Sequence, residues 1–234
     1  MTITEQRSRI DFELVAFDLY RDIHKGIRAE LFAVTGEAGR IDPADRAART
    51  ALADHVRTLK TLLVTHAEHE DHAVQPAIEL HVPAVAERIV VDHAVIDGRL
   101  DTLEEMAVGA VDATRSAQAG LVRRLYLELA SFTAAYLEHQ DLEERVVMPA
   151  LFDAIGFEAT LAIHQSIITS LTPEETAMSL AVMIPAMNVD DRTELLGGMR
   201  ASAPAEVFEG VWGLAGSVLA PVEMDELAAR LGIG

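Results

Sequence analysis

The chain has 234 residues, half of them hydrophobic and 5% aromatic, and 19 basic against 38 acidic residues leave a formal charge of −19. It has no cysteine, which excludes disulfides, cysteine-held zinc, iron–sulfur clusters and thiol nucleophiles. So acidic a chain lacks the basic footprint that nucleic acid or an anionic membrane surface requires, and neither is expected as a partner.

No apolar leader follows Met1, and no run of about 18 uninterrupted apolar residues occurs, so a soluble cytoplasmic protein is the expectation. Richness in Ala, Leu, Glu and Arg, with little period-2 alternation, predicts helix almost throughout. A first helix is predicted over 10–35, stopping at Gly36-Glu37-Ala38-Gly39. Asp42-Pro43 reads as an N-cap followed by proline at the first helical position, and opens a second helix running to Glu79. Pro76 should loosen its last turns. Leu80-His81-Val82-Pro83 reads as a connection, and a third helix covers 84–108. A fourth covers 112–148, where Pro149 interrupts the pattern. Four long helices joined by short loops predict an all-α, antiparallel up-down-up-down bundle over 1–155. Residues 156–234 read as a helical C-terminal extension of shorter segments. Thr172-Pro173-Glu174-Glu175 is a capping box, and the extension carries 11 acidic residues against 3 arginines, a charge of −8.

One motif occurs twice. HAEHEDHAVQPAI begins at His66 and HQDLEERVVMPAL at His139, and both follow H-x-x-x-E-[DE]-x-x-V-x-P-A-[IL] near the end of a long predicted helix. At about 100° per residue, His66 and Glu70 share a helix face, as do His139 and Glu143. Each pair lies on an apolar stripe: Leu59, Leu62 and Leu63 for the first, Leu125, Phe132, Val146 and Ala150 for the second. His24 and His93 sit on equivalent stripes of the first and third helices. Each helix therefore offers an imidazole to one interior, and two add a carboxylate. Burying them without strong partners costs several kcal/mol per uncompensated ion. A hydrogen-bonded core histidine explains any one of these residues but not the whole set. Imidazole and carboxylate together suit iron, manganese or zinc. Four imidazoles and two bridging carboxylates would fill eight positions on two octahedral ions. An oxo or hydroxo bridge would fill two more, leaving about two open to small ligands.

The order H…H-x-x-x-E…H…H-x-x-x-E, with the V-x-P-A-[IL] tails, resembles the hemerythrin-like (HHE) cation-binding proteins over residues 10–152. The extension is similar, more loosely, to the C-terminal regions of some actinobacterial members. The resemblance implies a four-helix bundle with a non-haem centre of two iron ions, His24, His66, Glu70, His93, His139 and Glu143 as ligands, and Glu70 and Glu143 as bridges. The chain departs from the oxygen-carrying members at two places. Asp97 stands where they have a second third-helix histidine, and the last carboxylate follows its histidine by four residues rather than five. Asp97, at i+4 from His93, is a candidate additional ligand or partner of a ligand. Tyr20 and Tyr136 face the same interior and are candidates to ligate or to hydrogen-bond a bound oxygen species.

Anionic oxygen ligands favour higher iron oxidation states, so peroxide or redox chemistry (catalase-like, of the oxidative-stress kind) is the first expected function. Binding or sensing of O2, NO or iron without turnover is the alternative, with the extension relaying the state of the centre or forming a homodimer. His69 and His72 turn about 60° and 120° from His66 and read as rim or surface. His55 lies about 16 Å along the helix, too far to join. Glu128 reads as an inward residue pairing with Arg21 or Arg28. Met178, Met183, Met187 and Met199 read as gap-filling core.

Overall fold

A computed structural model describes residues 14–233; the N-terminal part of the first predicted helix lies outside them. Helices α1 (Arg21–Ala38), α2 (Arg46–Ala73), α4 (Pro83–Val111) and α5 (Gln118–Leu142) form the bundle. They close a ring in which α1 neighbours α2 and α5, and α4 neighbours α2 and α5. Its axis is filled by Ile27, Leu31, Leu52, Leu59, Leu100, Leu125, Leu129 and Phe132, all under 2% exposed. Their i, i+3, i+4 spacing on each helix is what places them there.

Helix boundaries differ from the predicted ones for local reasons. Among the described residues, α1 starts only at Arg21, after Asp18 has taken the Tyr20 backbone N–H at 2.9 Å. Asp42 instead stabilises a turn through Ala44 N–H, and Asp45 is the N-cap of α2, accepting from Ala47 and Ala48. The second helix breaks at Val74. A short α3 (Gln75–His81) follows with Pro76 in its first turn, so Leu80 and His81 are helical and only Val82 separates α3 from α4.

The fourth bundle helix does not stop at Pro149. It passes through a π turn, Glu143–Val147, into α6 (Met148–Ser170), which bends at Gly156. The missing N–H of Pro149 and its clash with the carbonyl of residue 145 are accommodated by that extra residue, and Met148 N–H bonds back to Glu143. The insertion rotates everything beyond it. Strict 100° spacing puts Val146 and Ala150 inward, whereas the structure exposes both and buries Val147, Met148 and Leu151. Gly156 has φ 75° and ψ 179°, a conformation restricted to glycine, and α6 returns beside α2 and α3. By length and composition alone, the continuous stretch Gln118–Ser170 holds a window apolar enough to cross a membrane.

The extension continues as α7 (Pro173–Ala186), α8 (Val189–Ser202), α9 (Ala205–Val218) and α10 (Pro221–Leu231). The expected capping box is present: Thr172 Oγ1 accepts from Glu175 N–H at 3.2 Å and Glu175 accepts from Thr172 N–H at 2.7 Å. These helices bury Leu180, Ile184, Leu196, Ala215 and Leu227 against one another. Those side chains are covered within the chain, whereas Val207 and Val222 remain exposed. The extension is not separate from the bundle, because α7 lies along α1. Gly26 makes this approach feasible: a Cβ there would sit 2.9 Å from the Val182 carbonyl carbon and 3.0 Å from Met183 N. Lys25–Asp191 and Arg21–Glu194 ion pairs flank the seam. Glu128, expected inward, is exposed, and Arg28 pairs with Glu144 instead.

Gly26→Ala should lower the unfolding free energy by about 1–3 kcal/mol, because overpacking against backbone outweighs the helix propensity gained, and a denaturation midpoint measures it. His55 bridges Glu37 (2.6 Å) and Glu30 (3.1 Å) of α1. The Glu30 hydrogen bond first, and Glu37 with it, outweigh partial burial and raise the His55 pKa from 6.5 to about 9. A group raised on folding stabilises fully below its unfolded value and loses that contribution as pH rises through the folded one. The chain should therefore lose stability between pH 6.5 and 9, and His55→Gln should flatten that slope in urea titrations.

Candidate metal centre

Four histidines reach one point in the bundle because each helix presents its core stripe there. His24, His93 and His139 are 0–5% exposed, and the His66 side chain is 8% exposed. Their Nε2 atoms face two buried carboxylates in two sets. In the first set, His66 Nε2 lies 3.1 Å from Glu70 Oε1, while His24 Nε2 is 4.0 Å from Glu70 Oε1 and 3.5 Å from Glu143 Oε2. The second has His139 Nε2 at 3.1 Å from Glu143 Oε1, with His93 Nε2 at 3.9 Å from Glu143 Oε1 and 3.5 Å from Glu70 Oε2. α1 and α2 supply the first pair of imidazoles, whose ring centroids are 5.2 Å apart, and α4 and α5 the second, at 4.9 Å. Each carboxylate directs one oxygen to each set.

Within Glu70, His93, His139 and Glu143, one ligand atom of each lies within 4.8 Å of the others, and the same holds for His24, His66 and Glu70. Both oxygens of Glu70, Glu143 Oε2 and His93 Nε2 are buried with no hydrogen-bond partner among the described residues. Unpaired atoms of this kind are costly unless a cation serves them. Burial, and then the Glu70 charge, push the Glu143 carboxyl well above its ordinary range. For Glu70 burial acts the same way, but the surrounding imidazoles, His66 first, outweigh it and hold the carboxyl at about 2. Burial pulls His66 down to about 4. A nitrogen–oxygen donor set of this composition fits a divalent or trivalent cation of the iron, manganese or zinc type.

The opposite ring nitrogens are held by groups that the sequence pattern did not reveal. His24 Nδ1 lies 3.0 Å from Glu144 Oε1, and Arg28 clamps the same carboxylate at 2.8 and 2.7 Å. His93 Nδ1 meets Asp71 Oδ1 at 2.8 Å. Both carboxylates occupy the [DE] position after the glutamate in the repeated motif, so their signal was present in the sequence without a partner attached. Each bonds the histidine of another helix: Asp71 of α2 reaches His93 of α4, and Glu144 of the π turn reaches His24 of α1. An Asp92 oxygen stands 3.8 Å from His139 Nδ1.

Asp97 is a correction. It is exposed, and Asp71 occupies the place beside His93 that Asp97 was expected to take. Four residues of helix advance the azimuth by about 40° as well as one turn, enough to carry a short side chain outside the bundle. Tyr20 and Tyr136 are 2% exposed. Tyr20 stacks on His24 at 5.0 Å between ring centroids, and Tyr136 meets His139 edge-on at 5.8 Å. Burial first, then the charges of Glu143 and Glu70 for Tyr20 and of Glu70 and Glu143 for Tyr136, raise both phenols well above their ordinary pKa. His72 and His81 are exposed, and His69 sits at the rim, where Ser170 Oγ is 3.0 Å from its Nδ1.

Over 183 residues the chain is 21% identical to the zinc finger protein BRUTUS of Arabidopsis thaliana, a match covering 78% of this chain and 14% of that protein. No solved structure matches it. Residues 15–151 match the family model described as the hemerythrin HHE cation-binding domain, a span that holds all four converging histidines and both carboxylates. The chain belongs to that family.

Proposed function

We propose that the protein holds two iron ions, with His24 and His66 on one, His93 and His139 on the other, and Glu70 and Glu143 bridging them. One observation carries this reading: each carboxylate aims one oxygen at each histidine pair. A single ion would leave one pair and two carboxylate oxygens buried and unserved, which is the more costly arrangement. The finer proposal is peroxide disproportionation, in which one H2O2 is oxidised to O2 and another is reduced to two waters, so no outside electron donor is required. A redox-active metal pair supplies the two-electron exchange for such a reaction.

The chain's own residues support it. Glu144 and Asp71 accept from the Nδ1–H of His24 and His93, fix those tautomers and raise the basicity of the coordinating nitrogens. More basic ligands favour the higher oxidation states of iron. Tyr20 and Tyr136, packed on His24 and His139, place phenol side chains beside the centre. A second reading, reversible binding of O2 or NO without turnover, is favoured by the seam at Gly26. There α7 touches α1 two residues from His24, so a shift of that ring would reach the extension.

Iron reconstitution should give about two ions per chain by elemental analysis, and Glu143→Ala should abolish that stoichiometry. Asp71→Ala and Glu144→Ala should weaken metal affinity about 10- to 100-fold, whereas Asp97→Ala should leave it unchanged. Iron-loaded protein should evolve O2 from H2O2 in an oxygen-electrode assay. A stable ligand-bound spectrum with no O2 evolved would establish the second reading instead.

A further inference from the structure

A pocket of about 180 Å³ opens beside the centre, and its lining includes His66 and Glu70 from the donor set together with Tyr20. The bundle contributes Leu19, Ile23 and Leu62 to its walls. Val74 and Thr65 add to the bundle side, and the extension supplies Ile167 and Ile168 from the end of α6, Leu171 just beyond it, Met183 from α7 and Leu195 from α8. Met183 is therefore a wall residue and not the buried filler its position in the sequence implied. On the extension side the polar lining is His164, braced edge-on by Phe17 at 5.1 Å between centroids, and Ser179; His69 of α2 stands at the rim, 3.9 Å from a Glu175 oxygen. Carboxylates of Asp18 and Asp22 stand on the bundle side, and Arg21 and Lys25 both lie against Asp22.

O2, NO and peroxide are two-heavy-atom molecules and would fill little of this partly open, mainly apolar pocket. An enclosed apolar cavity of about 150 Å³ accepts benzene, so this one has room for a ring and a substituent. We infer that the pocket binds a compact neutral organic molecule of the phenol class, its ring against the Leu, Ile and Met side chains of the extension and its hydroxyl toward His164, Ser179 or the centre. Wall carboxylates disfavour an anionic head group, and the apolar lining disfavours a strongly hydrated one. The extension is then the element that determines which molecule stands next to the metal pair. Presentation to the metal rests on the two-iron reading; occupancy of the pocket does not.

The experiment is calorimetric titration of the full chain, ion-free and iron-loaded, with phenol, benzene, benzoate and benzylamine. Phenol should bind both forms at one site, benzene more weakly, and benzoate not measurably. Ile168→Trp, at a half-exposed wall position that tolerates bulk, should weaken phenol binding about tenfold or more by filling the space, with Met183→Trp as a second, deeper block. Iron content of both variants should stay at the wild-type value. Absence of phenol binding to wild type, unaltered binding in both variants, or stronger binding of benzylamine would overturn the inference. Phenol binding to a protein that takes up no iron would instead retire the two-iron reading while leaving the pocket assignment standing.

Discussion

Two carboxylates and four imidazoles withdrawn from water into one region of a helical bundle are the constraint on which the rest depends. The surrounding core of leucine, isoleucine and phenylalanine offers them nothing to bond, and their own separations give one another only partial relief. The sharp divergence between the two glutamates, one carboxyl driven up and the other held down, expresses the same tension. The proposed cation pair would resolve it by serving the inward-facing atoms together. On this view metal and fold are one thermodynamic unit, because affinity for the ions adds directly to the free energy of the folded chain.

The donor set depends on two helix defects placed in register. Val74 ends α2 one turn after Glu70, and the π turn begins at Glu143 itself. Both stand just before a proline that can neither donate to the preceding turn nor tolerate its carbonyl. The V-x-P-A-[IL] repeat thereby does two things at once. It interrupts the regular helix within a turn of each carboxylate, and it turns Val74, Ile78, Val147 and Leu151 into a common apolar cluster that closes the bundle beyond the centre. A regular α5 would have spent those positions on Val146 and Ala150 and left that end open.

The outer carboxylates tie the helices together through the histidines. Asp71 joins α2 to α4, and Glu144, itself gripped by Arg28, joins the π turn to α1. Orientation of the His24 and His93 rings is thus set by a helix other than their own, which makes the donor geometry a property of the packed bundle. The extension adds a layer. Its four helices share a core of their own, yet α7 lies on α1 at a glycine two residues from His24, and the end of α6 lines the pocket next to Glu70. Bundle and extension meet where the chemistry is expected.

Much of this was legible from residues alone. Helical content, the bundle and the inward direction of His24, His66, Glu70, His93, His139 and Glu143 follow from 3.6-residue periodicity, since an i,i+4 pair shares a face whatever surrounds it. Chain order could not show which histidines group together, because in a ring of four helices each has two neighbours and only the packed geometry selects one. It could not distinguish Asp71 from Asp97 as the partner of His93, because contact across helices is decided by packing and not by spacing. Periodicity also failed beyond Glu143, where one inserted residue rotated the remaining helix. The pocket was invisible for the same reason: its walls come from segments about 100 residues apart, and only the folding of the extension back onto the bundle brings Leu62 and Ile167 to the same space. Local rules fix the direction of a side chain relative to its own helix axis; what that side chain meets is settled by where the other helices lie.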